Sequence, residues 1–152
     1  MAIDKKISQL TAKVGVIEDT DLIEISDYNG ATYDTKSITG AQINPYKTYL
    51  ANVTQVGTAA PTLNFGYSAE LTSTVSFTRA STGTYELTLS TTELTANKTF
   101  VQITNGASGV NVVVGAYVTS TTKIVFYTAN STTGALLDSA LNETQIEIKI
   151  IK

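Results

Sequence analysis

The sequence lacks cysteine and histidine altogether. Without these residues the chain cannot form disulfide bonds, thiolate nucleophiles, Cys/His zinc sites or a Ser–His catalytic pair. An enzyme on this chain would need a pair of carboxylates, and a metal site would need oxygen ligands alone. Because a cysteine-free fold tolerates both reducing and oxidising surroundings, this absence does not indicate a compartment.

Charge is also scarce. Charged residues make up 15% of the chain and the net charge at pH 7 is −3, whereas soluble domains average about 25% charged residues. This composition provides no basic field for phosphates, so we expect no nucleic-acid partner. No apolar run approaches the roughly 18 residues of a membrane span. The early lysines are not followed by the apolar region of a secretory signal, and we expect no membrane insertion.

Thr, Ser and Asn are abundant instead, at roughly three residues in ten. Thr is β-branched and suits the half-exposed surface of a pleated sheet. Over residues 48–152, short segments alternate apolar and polar side chains and are separated by Gly, Asn, Ser and Thr. This spacing predicts an all-β fold, an antiparallel β-sandwich of jelly-roll-like type.

Several strands of this sandwich can be assigned individually. STVSFTRASTGTYELTLS predicts a hairpin that turns at Gly83. KTFVQIT predicts a further strand, and VNVVVGAYV with TKIVFYT predicts a second hairpin through Ser120 and Thr121. Gly115 is expected to mark a β-bulge. ALLDSALNE is expected to be a loop, and TQIEIKIIK a closing strand with its isoleucines on one face.

Residues 1–47 are expected to form a separate module. Its first apolar residues follow the spacing four, three, four that is typical of a coiled-coil seam: Ile3, Ile7, Leu10 and Val14. This pattern favours an oligomer-forming stub, and an irregular arm is the alternative, because a coiled coil needs more heptads. DLIEISDYNGATYDTKSITGAQI then predicts a hairpin with a turn at Asn29-Gly30, followed by a turn or short helix that ends near Pro45.

This predicted hairpin is too small to be stable alone. A lone two-stranded hairpin is marginal in water. It must therefore pack against the C-terminal domain, against copies of the same chain, or against another protein.

No catalytic residue, metal site or cofactor is predicted. DYNGATYDTKSI has Gly fourth and Ile twelfth, whereas an EF-hand loop needs Gly sixth and Glu twelfth. Among the glutamates, no spacing singles out a hydrolytic pair. The one arginine, Arg79, is expected to pair with a nearby acid; clamping a ligand carboxylate and capping a trimer seam are the alternatives.

Ligand-binding candidates come from the aromatic residues. Exposed tyrosines beside amide side chains are typical of glycan-binding surfaces, which gives these candidates: Tyr67, Tyr117 and Tyr127, with Asn64 and Asn130 as polar neighbours. The alternative is that these tyrosines are half-buried sheet residues.

The order of several motifs resembles phage fibre and appendage proteins. KISQL, DLIEI, Gly30 and KSITGAQI look like the small N-terminal module of such proteins. VGTAAPTLN, FTRASTGTYELTL, TANKTFVQITNG and TQIEIKI are similar to a β-sandwich head that is common in phage virion proteins. Together the two stretches cover nearly the whole chain.

The resemblance implies a structural subunit on the surface of a virion, usually a homotrimer. Residues 1–47 would attach to other virion proteins, and the sandwich would face outward, toward host-surface or environmental glycans. In such a trimer Ile23 and Ile25, or Leu22 from the opposite face, would point at the axis. Head, neck, baseplate and tail positions are all compatible with this resemblance.

Two other functions are compatible with the sequence. A free-standing carbohydrate-binding module would be monomeric and would bind without residues 1–47. A hydrolase would lose its turnover of a polysaccharide when a single glutamate is replaced.

Overall fold

The computed structural model describes residues 22–28, 33–39, 43–106 and 111–152, with the backbone alone for residues 22–28 and 33–36. The chain divides into two compact units, residues 1–44 and 45–152. The sequence-based boundary lies between residues 47 and 48.

The described part of the first unit is a hairpin. Strand β1, Leu22–Tyr28, pairs antiparallel with β2, Tyr33–Thr39, so that Ile23 lies opposite Ile38. This confirms the predicted hairpin. The predicted turn at Asn29-Gly30 lies outside the described residues, as does the predicted seam of Ile3, Ile7, Leu10 and Val14. Leu22, Ile23 and Ile25 lie in β1, and their place in a trimer interface stays a prediction.

The second unit contains eight strands: β3 Tyr46–Thr54, β4 Thr62–Ala69, β5 Val75–Ser81, β6 Thr84–Leu89, β7 Thr99–Thr104, β8 Val112–Ser120, β9 Lys123–Asn130 and β10 Thr144–Ile151. The first sheet has the order β4-β3-β10-β7 and the second the order β5-β6-β9-β8. All neighbouring strands are antiparallel. The predicted all-β sandwich is confirmed.

The core lies between the two sheets and follows the alternation of the strands. In β3, β6 and β10, side chains at every second position are buried, because successive residues of a strand point to opposite faces. The buried set is Tyr49, Ala51 and Val53 on β3, Ile146, Ile148 and Ile150 on β10, Tyr85, Leu87 and Leu89 on β6, Ile124 and Phe126 on β9, and Leu94 and Leu141 in loops. Each large side chain contributes about 1.5–3 kcal/mol by leaving water. The intervening residues form the two outer faces of the sandwich.

Gly83 and Gly115 have different structural roles. Gly83 has a φ of +61° in the turn between β5 and β6, as expected for a tight hairpin. The bulge expected at Gly115 is wrong: this residue pairs in regular register with Tyr127, and the shift occurs between Val118 and Ser120. A Cβ at position 115 would lie 2.5 Å from Cζ of Tyr127. Glycine is therefore needed here to let the tyrosine ring lie across the strand.

Candidate ligand-binding groove

The sequence-predicted ligand residues lie in separate places. Asn64 and Tyr67 belong to β4 in the first sheet, whereas Tyr117 and Tyr127 belong to β8 and β9 in the second sheet. Asn130 ends β9, and its side-chain oxygen accepts hydrogen bonds from the backbone N–H groups of the following turn at 2.8 and 3.0 Å. The fold therefore offers two opposite outer faces as candidate surfaces.

The outer face of the first sheet is built from rows of side chains that cross all four strands. One row consists of Phe65, Asn52, Gln145 and Thr104, which are register partners from β4 to β7. The next row consists of Tyr67, Leu50, Glu147 and Gln102. Lys149 and Phe100 are paired in the row after that. The long-range pairing of β3, β7 and β10 thus brings together residues that are far apart in sequence.

These rows form a groove, which we call the outer groove. Its first part is a concavity of about 440 Å³, lined by Phe65, Leu50, Asn52, Gln145, Thr104, Gln102 and Glu147. A second concavity of about 490 Å³ adjoins it, shares Gln102 and Glu147, and extends to Phe100 and Lys149. The groove therefore crosses the sheet from one edge strand to the other.

Two phenylalanine rings are exposed at opposite edges of the outer groove. The exposed fraction is 60% for Phe65 and 58% for Phe100. On the same face of β4, Tyr67 is 53% exposed. A group of large exposed apolar side chains on one face commonly marks an interaction surface.

The floor of the groove carries amide groups that are free to bind a ligand. Gln102 and Gln145 are exposed, and their side chains form no hydrogen bond with the described residues. Each amide provides one acceptor and two donor hydrogens. Ligand hydroxyls could therefore bind both glutamines without displacing an internal contact.

Asn64 and Asn52, by contrast, are held by internal hydrogen bonds. Nδ2 of Asn64 donates to Oδ1 of Asn52 and to Oγ1 of Thr54, both at 2.8 Å. Nδ2 of Asn52 donates to the carbonyl of Glu143 at 3.1 Å. The strand register shifts beside Asn52, which places Asn64 as an extra residue in β4. Asn64 therefore positions the Asn52 side chain at the edge of the groove.

The outer groove carries no net charge among its described lining residues. Its carboxylate, Glu147, forms an ion pair with Lys149 at 2.9 Å. The remaining polar groups are amides and the Thr104 hydroxyl. The surface therefore suits a neutral ligand that has many hydroxyl groups and apolar ring faces.

The outer face of the second sheet is aromatic but offers different polar groups. Tyr117 is 55% and Tyr127 37% exposed, and the Tyr127 ring lies over Gly115. The charged pair on this face is Glu86 with Lys123 at 2.8 Å. Its strands present Thr and Ser rather than Asn or Gln outward in the described residues. Among the residues that the structure describes, this face therefore lacks the combination of rings and free amides found in the outer groove.

Glu93 has a strongly lowered pKa because several hydrogen bonds hold its ionised carboxylate. Its side chain is 4% exposed and lies 2.9 Å from Nζ of Lys47. Its other oxygen accepts from the backbone N–H of Ser73 at 2.8 Å and of Thr72 at 3.1 Å. Burial alone would raise the pKa of Glu93, but the hydrogen bonds from Ser73, Lys47 and Thr72 outweigh it and lower the pKa to about 2. Both oxygens are occupied, so we assign Glu93 a structural role.

Asp138 has a comparable position at another loop. It accepts from Nε and Nη2 of Arg79 at 3.0 and 2.6 Å and from the N–H of Gly83 at 3.0 Å. The hydrogen bonds from Arg79, Gly83 and Tyr85 outweigh burial and lower the pKa of Asp138 to about 2. The expectation that Arg79 pairs with an acid is confirmed.

The Tyr85 hydroxyl connects this ion pair to the core. It lies 3.2 Å from Oδ1 of Asp138 and 3.0 Å from Oε1 of Gln55. Burial raises the pKa of Tyr85 to about 12. The network therefore fixes the loop before β10 on the end of the sandwich.

No group of three or more carboxylates in the part of the chain described by the structure could hold a metal ion. Within the same residues, no helix has the length and apolar character to cross a membrane. The chain matches no protein-family model, no curated protein and no solved structure.

Sequence reasoning missed most of the outer groove. Phe100 and Gln102 alternate with core residues in KTFVQIT, and Gln145 and Glu147 do so in TQIEIKI. This alternation identifies them as outward-facing. The pairing of β7 with β10 that makes them neighbours has no local signal.

Proposed function

We propose that this chain is a structural subunit of a phage virion fibre, either a head fibre or a tail fibre. We further propose that its sandwich adheres to neutral glycans through the outer groove. The subunit would be a homotrimer on the particle surface. Its first unit would attach to other virion proteins.

The observation that carries the adhesive part is the outer groove itself. It combines exposed phenyl rings at both edges with the unengaged amides of Gln102 and Gln145. Rings stack on the apolar faces of sugars, and amides both donate to and accept from hydroxyls. Within the described residues, both elements of sugar recognition therefore occur on one continuous surface.

The virion part rests on the motif order in the sequence, from KISQL to TQIEIKI. The separate hairpin unit is compatible with an attachment module, since a two-stranded hairpin needs a partner for stability. Low charge and high Thr content suit a protein that presents β-structure to water.

A free-standing carbohydrate-binding module is the second candidate. The hydrophobic core of the sandwich favours this candidate, because the core cluster runs from Tyr49 to Ile150 and so lies within the second unit. Such a module would use the same outer groove but would not need the hairpin unit or a trimer.

A glycan screen with two aromatic variants tests the adhesive function. Full-length protein is applied to an array of neutral and acidic polysaccharides, and affinities for the bound ones are measured by calorimetry. Phe65→Ala should weaken binding roughly two- to tenfold, since loss of one stacking contact costs roughly 0.5–1.5 kcal/mol. Tyr117→Ala is the matched control because it removes a similarly exposed ring from the opposite sheet.

Two results would contradict the proposal. If wild-type protein binds no glycan on the array, it is not an adhesin of this kind. If Tyr117→Ala abolishes binding while Phe65→Ala does not, the ligand lies on the second sheet and the outer groove has another role.

A further inference from the structure

The two phenyl rings of the outer groove lie too far apart to contact one sugar. Phe65 is on β4 and Phe100 on β7, at opposite edges of a four-stranded sheet. Across the sheet the two rings are separated by three strand spacings, which is about 14 Å. Along the strands they are also offset: Thr104 is the β7 residue in the Phe65 row, and Phe100 lies four residues from it, which is about 13 Å. The diagonal between the rings is therefore roughly 19 Å, which matches about four linked hexose units.

We propose that the outer groove binds an extended neutral oligosaccharide along this diagonal, with a stacking subsite at each end. One end of the ligand lies on Phe65 and the other on Phe100. This inference rests on the proposed adhesive function and adds the length and charge of the ligand to it.

The polar groups lie between the two rings, where the middle units of such a ligand would pass. Gln145 is in the Phe65 row, and Gln102 is in the next row, between the Phe65 row and the Phe100 row. Both glutamines are exposed and form no side-chain hydrogen bond with described residues. They can therefore bind ligand hydroxyls at low cost, because no internal bond has to break.

The charges of the groove favour a neutral ligand over an acidic one. Glu147 lies between Leu50 and Gln102 at the centre of the groove. Its ion pair with Lys149 at 2.9 Å leaves no excess positive charge for a uronate or sialate. An acidic sugar over Glu147 would bring two like charges together.

The same groups argue against an apolar protein surface as occupant. Covering the groove with an apolar protein surface would bury the Gln102 and Gln145 amides without partners, and each unsatisfied group is costly. Hydroxyl groups of a sugar satisfy them instead.

A chain-length series tests this inference. Neutral oligomers of glucose, mannose, galactose and N-acetylglucosamine, from one to six units, are titrated into full-length protein by calorimetry, with oligogalacturonates as acidic counterparts. For the neutral series that binds, affinity should rise up to about four units and then level off. Oligogalacturonates of equal length should bind at least tenfold more weakly.

The variants separate the two subsites. Phe100→Ala should leave the affinity for disaccharides unchanged and remove most of the gain from the third and fourth units, about tenfold. Phe65→Ala should weaken binding at every length. Gln102→Ala and Gln145→Ala should weaken tetramer binding several-fold, and Thr78→Ala, an exposed position on the opposite sheet, should not.

Each contrary outcome has a distinct meaning. Glycan binding that is independent of length, unaffected by Phe100→Ala, or stronger for the acidic series overturns the two-subsite inference and leaves the adhesive function standing. Absence of all glycan binding by the wild type overturns the adhesive function itself. A change in native mass caused by Phe65→Ala or Phe100→Ala would show that the groove is an interface between copies.

Discussion

Single side chains hold the loops of this sandwich, and Glu93 is the clearest case. One carboxylate accepts two backbone N–H groups from the Thr72–Ser73 turn and pairs with Lys47 at the start of β3. Three chain segments that are distant in sequence thus meet at one charge. Because the hydrogen bonds go to the ionised form, the group must stay charged for this contact to persist.

We expect the stability of the sandwich to fall in acid. The pKa of Glu93 is lowered to about 2 in the folded state, whereas an unfolded glutamate titrates near 4.5. The unfolded chain therefore binds the proton first, so the stabilisation is fully present above about pH 5 and is lost as the pH falls toward 2. Urea unfolding between pH 2 and 8 measures this.

Glu93→Gln should lower the free energy of unfolding at pH 7 by about 2 kcal/mol, the usual contribution of hydrogen bonds to a charged group. The substitution should also reduce the loss of stability between about pH 5 and pH 2. Glu86→Gln is the control, because Glu86 forms a surface pair with Lys123 that contributes about 1 kcal/mol at most. Equal effects of the two substitutions would contradict the role assigned to Glu93.

At this scale the sequence allows some partners to be anticipated but not identified. The lone Arg79 could be expected to find an acid, yet Asp138 lies 59 residues away in a loop. No spacing in the sequence distinguishes Glu93 from the other glutamates, because its contacts depend on how the Thr72–Ser73 turn and β3 approach it. Such partners follow from the tertiary fold and leave no local pattern.

At the scale of elements, glycine positions control how turns pack. Gly83 has a φ of +61°, and a Cβ there would lie 2.6 Å from the backbone of both Thr128 and Leu137. Gly134 has a φ of +70° with nothing within 4 Å of its Cβ position. At both positions, an L side chain would strain the backbone. Of the two, only a side chain at position 83 would also clash with backbone atoms.

This pair separates strain from steric clash. Gly134→Ala should cost about 1 kcal/mol, the price of placing alanine in the left-handed region. Gly83→Ala should cost about 3 kcal/mol or more, because the backbone of β9 and of the following loop must also shift. Chemical denaturation of both variants measures the difference. Similar values would mean that the loop containing Leu137 yields easily.

The elements that could be predicted have strong local signals. Alternation identifies β6 and β10, and a glycine or a Thr-rich turn identifies the hairpins that join β5 to β6 and β8 to β9. The prediction at Gly115 was wrong because a glycine within a strand can mark either a bulge or a position where a neighbouring aromatic ring lies across the strand. The pairing of β3 with β10 joins Val53 to Thr144, which are 91 residues apart, so no short window of sequence contains it.

At the scale of the whole molecule, the two units pose different stability problems. The sandwich has its own hydrophobic core, from Tyr49 to Ile150, and the ion pairs of Glu93 and Asp138 hold its loops. The hairpin has two strands, which are marginal in water without further packing. The composition predicted a β-sandwich correctly, since Thr-rich alternation needs no knowledge of strand order. The outer groove could not be foreseen, because it depends on which strands become neighbours.

Assembly of the full chain is the remaining property to be tested. If identical hairpin units pack around an axis through Ile23 and Ile25, the full-length protein should sediment at three times its 16.1 kDa chain mass at micromolar concentration. Residues 45–152 should fold as a monomer; the cut must precede Pro45 and Lys47, because these contact Lys152 and Glu93. Ile23→Ser with Ile25→Ser should weaken the trimer, since each buried isoleucine contributes about 1.5–3 kcal/mol. A monomeric full-length chain would favour the free-standing module, and a trimeric 45–152 fragment would move the assembly interface to the sandwich.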